Sequence, residues 1–228
     1  MNSQTMPPPT DAASSMTQKP RFRGVLHQFG AVVATGAGLV LVSVAPSGRA
    51  SVAVAVFASS LVILFAVSAT YHRIHWSARG RTWMRRADHG AIFVLIAGTY
   101  TPIVLLGLPA ETGNRLLLAI WAVAVLGVLQ SLFWVQAPKA LVALLAVAAG
   151  WAIVPYIGDV RRAYGDEIFA LILAGGVVYS IGAIAYAFKR PVLWPAVFGY
   201  HEVFHALTLL GAVLHFAAVL GIVGSLGA

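Results

Sequence analysis

The sequence predicts an all-α integral membrane protein: a bundle of seven transmembrane helices, with the N-terminus in the cytoplasm and the C-terminus outside. Three observations carry that prediction. The 228 residues are 60% hydrophobic and only 10% charged, whereas soluble globular chains carry about 25% charged residues. A chain so poor in charge keeps its apolar surface dry only in a bilayer. The apolar residues gather into seven runs, each near the ~20 residues that a spanning helix needs. The Lys and Arg residues fall unevenly on alternate loops, which is the asymmetry that sets topology.

Taken in order, residues 1–24 are polar and hold the triplet Pro7-Pro8-Pro9, so they read as a disordered cytoplasmic tail. The remainder, 25–228, reads as one seven-span domain. Runs are expected at about 25–46, 50–71, 88–108, 115–135, 139–157, 167–188 and 200–224. The breaks are Pro46-Ser47-Gly48, the basic loop 73–87, Pro109 to Asn114, Gln136 to Pro138, Gly158 to Asp166, and Lys189 to Pro195. Most of these turns are short, as antiparallel neighbours in a bundle require. The first run follows a long polar tail and is too long for a cleaved signal, so it is expected to stay in place.

Of the fifteen Lys and Arg, eleven lie in the tail, in loop 73–87 and at Lys139, Lys189 and Arg190, all on one side. The other side holds four: Arg49, Arg115, Arg161 and Arg162. The richer side is cytoplasmic. The formal charge of +8 is therefore assigned to topology and anionic lipid, with no nucleic acid as partner. The absence of cysteine removes disulfides and thiolate metal sites, so any metal must use His, Asp or Glu.

Among the seven acids, only Asp88 and Glu202 enter apolar runs. Of the histidines, His72, His201, His205 and His215 stand in or at spans, His27 opens the first run, and His89 adjoins Asp88. Ionisable groups in spans are costly and commonly face the bundle interior or mark function. In the derived topology His72 ends the second span, Asp88 opens the third, and His201 and His205 open the seventh. Three helices thus deliver polar groups to one depth near the cytoplasmic face.

His201 and His205, within His201-Glu202-Val203-Phe204-His205, are four apart and share a helix face, so they can grip one ion. Ser68 lies one turn from His72 on the same face. Three histidines around Zn2+ leave a fourth position open, the arrangement of a catalytic zinc. Asp88 is then either a general base or the partner of a histidine's second ring nitrogen, and Ser68 either assists it or packs between helices. Glu202 also has two readings. H-E-x-x-H is the metalloprotease pattern, but a Glu in a helix's first turn is favoured by the macrodipole, and this one points about 100° from the His face. His215 lies about 15 Å deeper and reads as a bundle-interior residue.

The stretches SATYH, ADHGAIFVLIAGTYTP and HEVFHALTLLGAVLHF resemble the bacterial hemolysin III family, which belongs with the progestin and adipoQ receptors, including the adiponectin receptors, and is more distantly akin to alkaline ceramidases. The likeness covers about residues 25–225. It implies seven spans with the N-terminus inside, and zinc held by His72, His201 and His205 with water toward Asp88. The S-x-x-x-H pattern of the family falls on Ser68 and His72.

The expected function is that of a zinc-binding polytopic protein of the cell inner (plasma) membrane. It is expected to hydrolyse lipid as a ceramidase-like amidase in membrane lipid homeostasis, on a substrate held in a cavity inside the bundle. Asp88 and Ser68 are the expected catalytic residues. The alternatives are a hemolysin III-type pore-forming cytolysin, which permanently inserted spans disfavour, an intramembrane protease using Glu202, and a non-catalytic sensor or receptor with structural zinc.

Overall fold

The structure, a computed structural model, describes residues 20–226. Residues 1–19, most of the expected disordered tail, lie outside the described residues. The chain forms α1 (Val25–Val44), α2 (Arg49–Arg73), α3 (Ala78–Gly107), α4 (Ala110–Phe133), α5 (Lys139–Gly150), a short 3-10 turn (Val154–Tyr156), α6 (Ile157–Phe188) and α7 (Tyr200–Leu226). Among the described residues the only β pairing is an isolated bridge between Trp194 and Phe198.

The helix boundaries follow local chemistry. Gly24, at φ 81°, lets the chain turn into α1. Ser77 caps α3 by accepting a hydrogen bond from Gly80 N at 3.2 Å, a favoured N-cap arrangement. This cap starts α3 about ten residues before the expected span, so much of the basic loop is helical. Thirty residues at about 1.5 Å each exceed a hydrocarbon core of ~30 Å, and the arginine-bearing first turns project beyond it. Pro109 and Pro138 stand immediately before α4 and α5, where a missing N–H costs nothing.

Six helical stretches among the described residues are long and apolar enough to cross a membrane, where seven runs were expected. The difference lies in Lys139–Phe188, which counts as a single stretch of 50 residues. It is not a straight rod. Trp151 Nε1 donates to Ser180 Oγ at 2.8 Å, although a continuous helix would hold these residues about 40 Å apart. Lys139 Nζ stands 4.5 Å from the centre of the Tyr186 ring. The stretch is therefore a hairpin, broken at Trp151–Tyr156 and again at Gly165 (φ 75°).

The broken end of α5 is satisfied from a neighbouring helix. Tyr100 Oη on α3 donates to Gly150 O at 2.8 Å and accepts from Ile153 N at 2.9 Å. Irregular backbone at membrane depth is tolerated where protein supplies such partners.

Consecutive helices pack side by side, and α7 returns to touch α1, which closes the bundle. The centre is α3, which touches α2, α4, α5, α6 and α7. One core cluster joins Phe93, Tyr100 and Val104 of α3 to Ile120, Val160 and Ile222. A second joins Leu41, Phe57 and Phe65 to Val219. Small residues permit the close contacts, as is usual between membrane helices: a Cβ on Gly127 would lie 2.3 Å from the Phe93 ring. Large apolar side chains such as Phe29, Leu118, Phe133 and Leu144 face outward, as a lipid-facing surface requires.

Candidate metal centre

His72 occupies the last turn of α2. The helix stops there because Ile74 is extended, and Trp76 Nε1 donates to Thr70 O at 3.1 Å, which ties the exit turn down. Gly24 lies against this turn, so close that a Cβ would sit 2.6 Å from His72 Cβ. His201 and His205 stand in the first two turns of α7. That helix starts at Tyr200 because Glu202 Oε2 accepts from Gly199 N at 2.8 Å, which satisfies an N–H otherwise orphaned at a helix start.

The structure brings the three histidines together. One ring nitrogen from each lies within 4.8 Å of the others. His72 Nε2 and His201 Nε2 are 3.1 Å apart. Two nitrogens bound at 2.0–2.1 Å to a tetrahedral zinc stand about 3.3 Å apart, so the observed spacing suits a shared ion. His201 and His205 are buried and His72 half-buried. Three imidazoles beside a cavity fit a borderline-soft divalent cation, and the donor set contains no thiolate.

Asp88 is not a member of the histidine group. It lines the same cavity as His72 and His201, a chamber of about 420 Å³. The buried Ser68 of α2 stands beside the Asp88 carboxylate of α3. His89 also lines this cavity without joining the cluster. His215 is buried well away from it, with Nε2 on Ile172 O at 3.0 Å, in the interior position expected of it.

Glu202 is 1% exposed. Both its oxygens are engaged: Oε1 is ion-paired with Arg23 Nε and Oε2 accepts from Gly199 N. The segment just before α1 is pinned in the same place, since Arg21 N and Phe22 N donate to Ala196 O and Val197 O. Residues 20–24, read from sequence as the end of a loose tail, thus dock onto the entrance of α7.

Sequence reasoning passed over two features. His27, placed only at the start of the first run, stacks on His205 with ring centres 3.8 Å apart and planes 7° apart, and neither of its nitrogens has a hydrogen-bond partner. Its signal was its position, a polar residue in the first turn of an apolar run. The other is Lys139, counted only for topology, whose Nζ donates to Tyr200 Oη at 3.2 Å. No spacing rule links residues 61 apart.

Comparison with known proteins bears on what this arrangement is. The profile of a family described as "Haemolysin-III related" matches residues 15–216. The chain belongs to that family. It is 32% identical over 217 residues to Hemolysin-3 of Bacillus cereus, an alignment covering 92% of this chain and 96% of the relative. It is 30% identical over 165 residues to a Hemolysin-3 homolog of Bacillus subtilis strain 168, covering 72% and 74%. It is 29% identical over 181 residues to the heptahelical transmembrane protein ADIPOR2 of Oryza sativa subsp. japonica, covering 72% and 79%. The haemolysin-III-related chain described here is a multi-pass membrane protein, and its bacterial relatives point to the plasma membrane.

Proposed function

We propose that the chain is a zinc-dependent lipid hydrolase, an amidase of the ceramidase type, built on seven spans with the N-terminus in the cytoplasm. The observation that carries the reading is the convergence of His72, His201 and His205 beside a cavity that Asp88 also lines. Counting the Lys139–Phe188 hairpin as two spans supports the number seven. Its first arm is α5, about 18 Å long at helical rise, prolonged by the irregular Trp151–Tyr156, and its second, 166–188, is about 34 Å long, near the thickness to be crossed. An odd number puts the termini on opposite sides, and the basic residues about the cavity support a cytoplasmic end for the histidines.

Zinc held by the three imidazoles would supply Lewis acidity to a carbonyl and to water. The chain's own groups do the rest. Water oxygen bonds to the amide carbon, and the carbon–nitrogen bond breaks. Asp88 takes the proton from water and delivers it to the departing nitrogen. Ser68 fixes the carboxylate for both transfers. Glu202, with both oxygens engaged, is a structural clip in this reading and not a base.

The test is metal content by elemental analysis together with a screen of lipid amides and esters. Wild type is expected to hold about one zinc per chain and His205→Ala none. Asp88→Asn is expected to keep zinc and thermal stability while hydrolysis falls at least 100-fold, the usual scale for a lost general base. Well-folded wild type that takes up no zinc refutes the reading. Retained hydrolysis in Asp88→Asn removes Asp88 from the chemistry.

A further inference from the structure

The chamber in front of the histidines has a second wall that hydrolysis of a neutral lipid amide does not require. Arg81 and Arg85, in the first turns of α3, and Lys139, at the start of α5, all line it. Asp88 is the one acid among its lining residues. Arg23 lines it too, but its charge is committed to Glu202. Arg81, Arg85 and Lys139 make no ion pair among the described residues. With Asp88 set against the three, the wall keeps a surplus of two positive charges.

Two of these cations are also held by aromatic neighbours. Lys139 Nζ is anchored by Tyr200 Oη at 3.2 Å and lies over the Tyr186 ring. Arg81 stands 5.6 Å above the Tyr71 ring. Topology alone does not account for this placement: a basic loop sets orientation wherever its charges sit, and Arg73 and Arg79 do so from exposed positions outside the chamber. Arg85 and Lys139 are half-buried and turned into a cavity whose volume is that of a small-molecule site.

We propose that this chamber binds a phosphate-bearing ligand, with the phosphate seated among Arg81, Arg85 and Lys139 and the rest of the molecule reaching toward His72 and His201. A phosphomonoester dianion matches the surplus of two charges. Guanidinium groups suit its oxygens bidentately, and an ammonium suits it as a point charge. The inference rests on reading the chamber as the substrate site, but the seat itself needs no metal.

The experiment uses the full chain in nanodiscs of neutral phosphatidylcholine, treated with chelator so that phosphate has no metal to bind. Short-chain phosphatidic acid, diacylglycerol, glycerol 3-phosphate and inorganic phosphate are each titrated, with binding read by calorimetry and by thermal shift. Phosphatidic acid is expected to bind at least about tenfold tighter than diacylglycerol, the worth of one charge-assisted hydrogen bond or more. The double variant Arg85→Gln/Lys139→Gln is expected to lose that preference, and Arg73→Gln/Arg79→Gln to keep it. If inorganic phosphate or glycerol 3-phosphate binds as tightly as phosphatidic acid, the seat stands and its natural ligand is a soluble phosphate. Equal binding of phosphatidic acid and diacylglycerol, or an unchanged preference in the Arg85/Lys139 variant, overturns the proposal. The single variant Lys139→Arg keeps the charge and guards against misfolding, since it is expected to retain the preference. The hydrolase reading fails separately, through zinc content and Asp88→Asn in metal-loaded protein.

Discussion

The buried pair Arg23–Glu202 offers a direct way to separate structure from chemistry in the H-E-x-x-H stretch. Arg23→Met keeps the aliphatic stem and removes the charge, leaving a Glu202 that is 1% exposed with only Gly199 N as partner. Breaking a fully buried ion pair costs about 3–5 kcal/mol. Arg23 is 21% exposed and the Gly199 bond remains, which lowers the expectation to about 2 kcal/mol. For a chain of this length that is a fall in Tm of about 4–8 °C. Glu202→Gln keeps an oxygen for Gly199 N and leaves Arg23 with access to water, so its cost is about 1 kcal/mol. The double variant, with no unpaired charge left, is expected to be no less stable than Arg23→Met, giving a coupling of about 1–2 kcal/mol. Thermal unfolding of the four proteins by circular dichroism measures this, with zinc content and lipid hydrolysis assayed on the same samples. All four are expected to hold zinc and to hydrolyse. A Glu202→Gln protein of unchanged Tm that has lost hydrolysis would refute the clip and make Glu202 the base.

Three further outcomes are expected. His27→Ala, which removes the ring stacked on His205, is expected to weaken zinc binding about tenfold or more, the scale seen when a group supporting a ligand is lost, while His27→Phe retains most of the affinity; zinc titration against a competing chelator decides. Tyr100→Phe leaves Ile153 N and Gly150 O without their phenol partner, at a cost of about 1–3 kcal/mol, read as a lower Tm and faster amide exchange at residues 150–154. Gly24→Ala combines a left-handed φ with a Cβ placed 2.6 Å from that of His72, so a loss of about 1–3 kcal/mol is expected, together with weakened zinc binding; an unchanged Tm would show that the α1 entrance is free to move.

Much of this was legible in the sequence because membrane burial writes plainly. Apolar runs gave six of the helical stretches. The i, i+4 spacing of His201 and His205, with depth from the Lys and Arg distribution, puts His72, Asp88 and Ser68 at the same end. The break at Gly165 falls inside the expected Gly158–Asp166 turn, but the earlier break of the hairpin was harder. Trp151–Tyr156 is as apolar as the helix before it, and Tyr100, which satisfies its backbone, is some fifty residues away in sequence. The docking of residues 20–24 was also hidden, because polarity alone does not distinguish a tail that solvates from one whose Arg23 has a buried carboxylate waiting. The aromatic cradle of Lys139 was invisible for the same reason: it is assembled by tertiary contacts between α5, α6 and α7.

The placement of the ligands bears on how any loss of function should be read. His72 and His201 are 129 residues apart, on α2 and α7, two helices that otherwise touch only sparingly. An ion shared between them is a cross-link as much as a reagent, and it stabilises the folded state by mass action whether or not chemistry follows. A histidine variant that loses hydrolysis therefore does not identify zinc as catalytic, because the α2–α7 closure is lost in the same step. Asp88 differs. It stands outside the histidine group, on α3, with Ser68 of α2 beside it. Asparagine there preserves size and an acceptor for Ser68 while removing the proton carrier. If Asp88→Asn keeps its zinc and its Tm yet loses hydrolysis, the centre is catalytic. If it keeps all three, hydrolysis does not run through Asp88 and the proton carrier is another group lining the chamber.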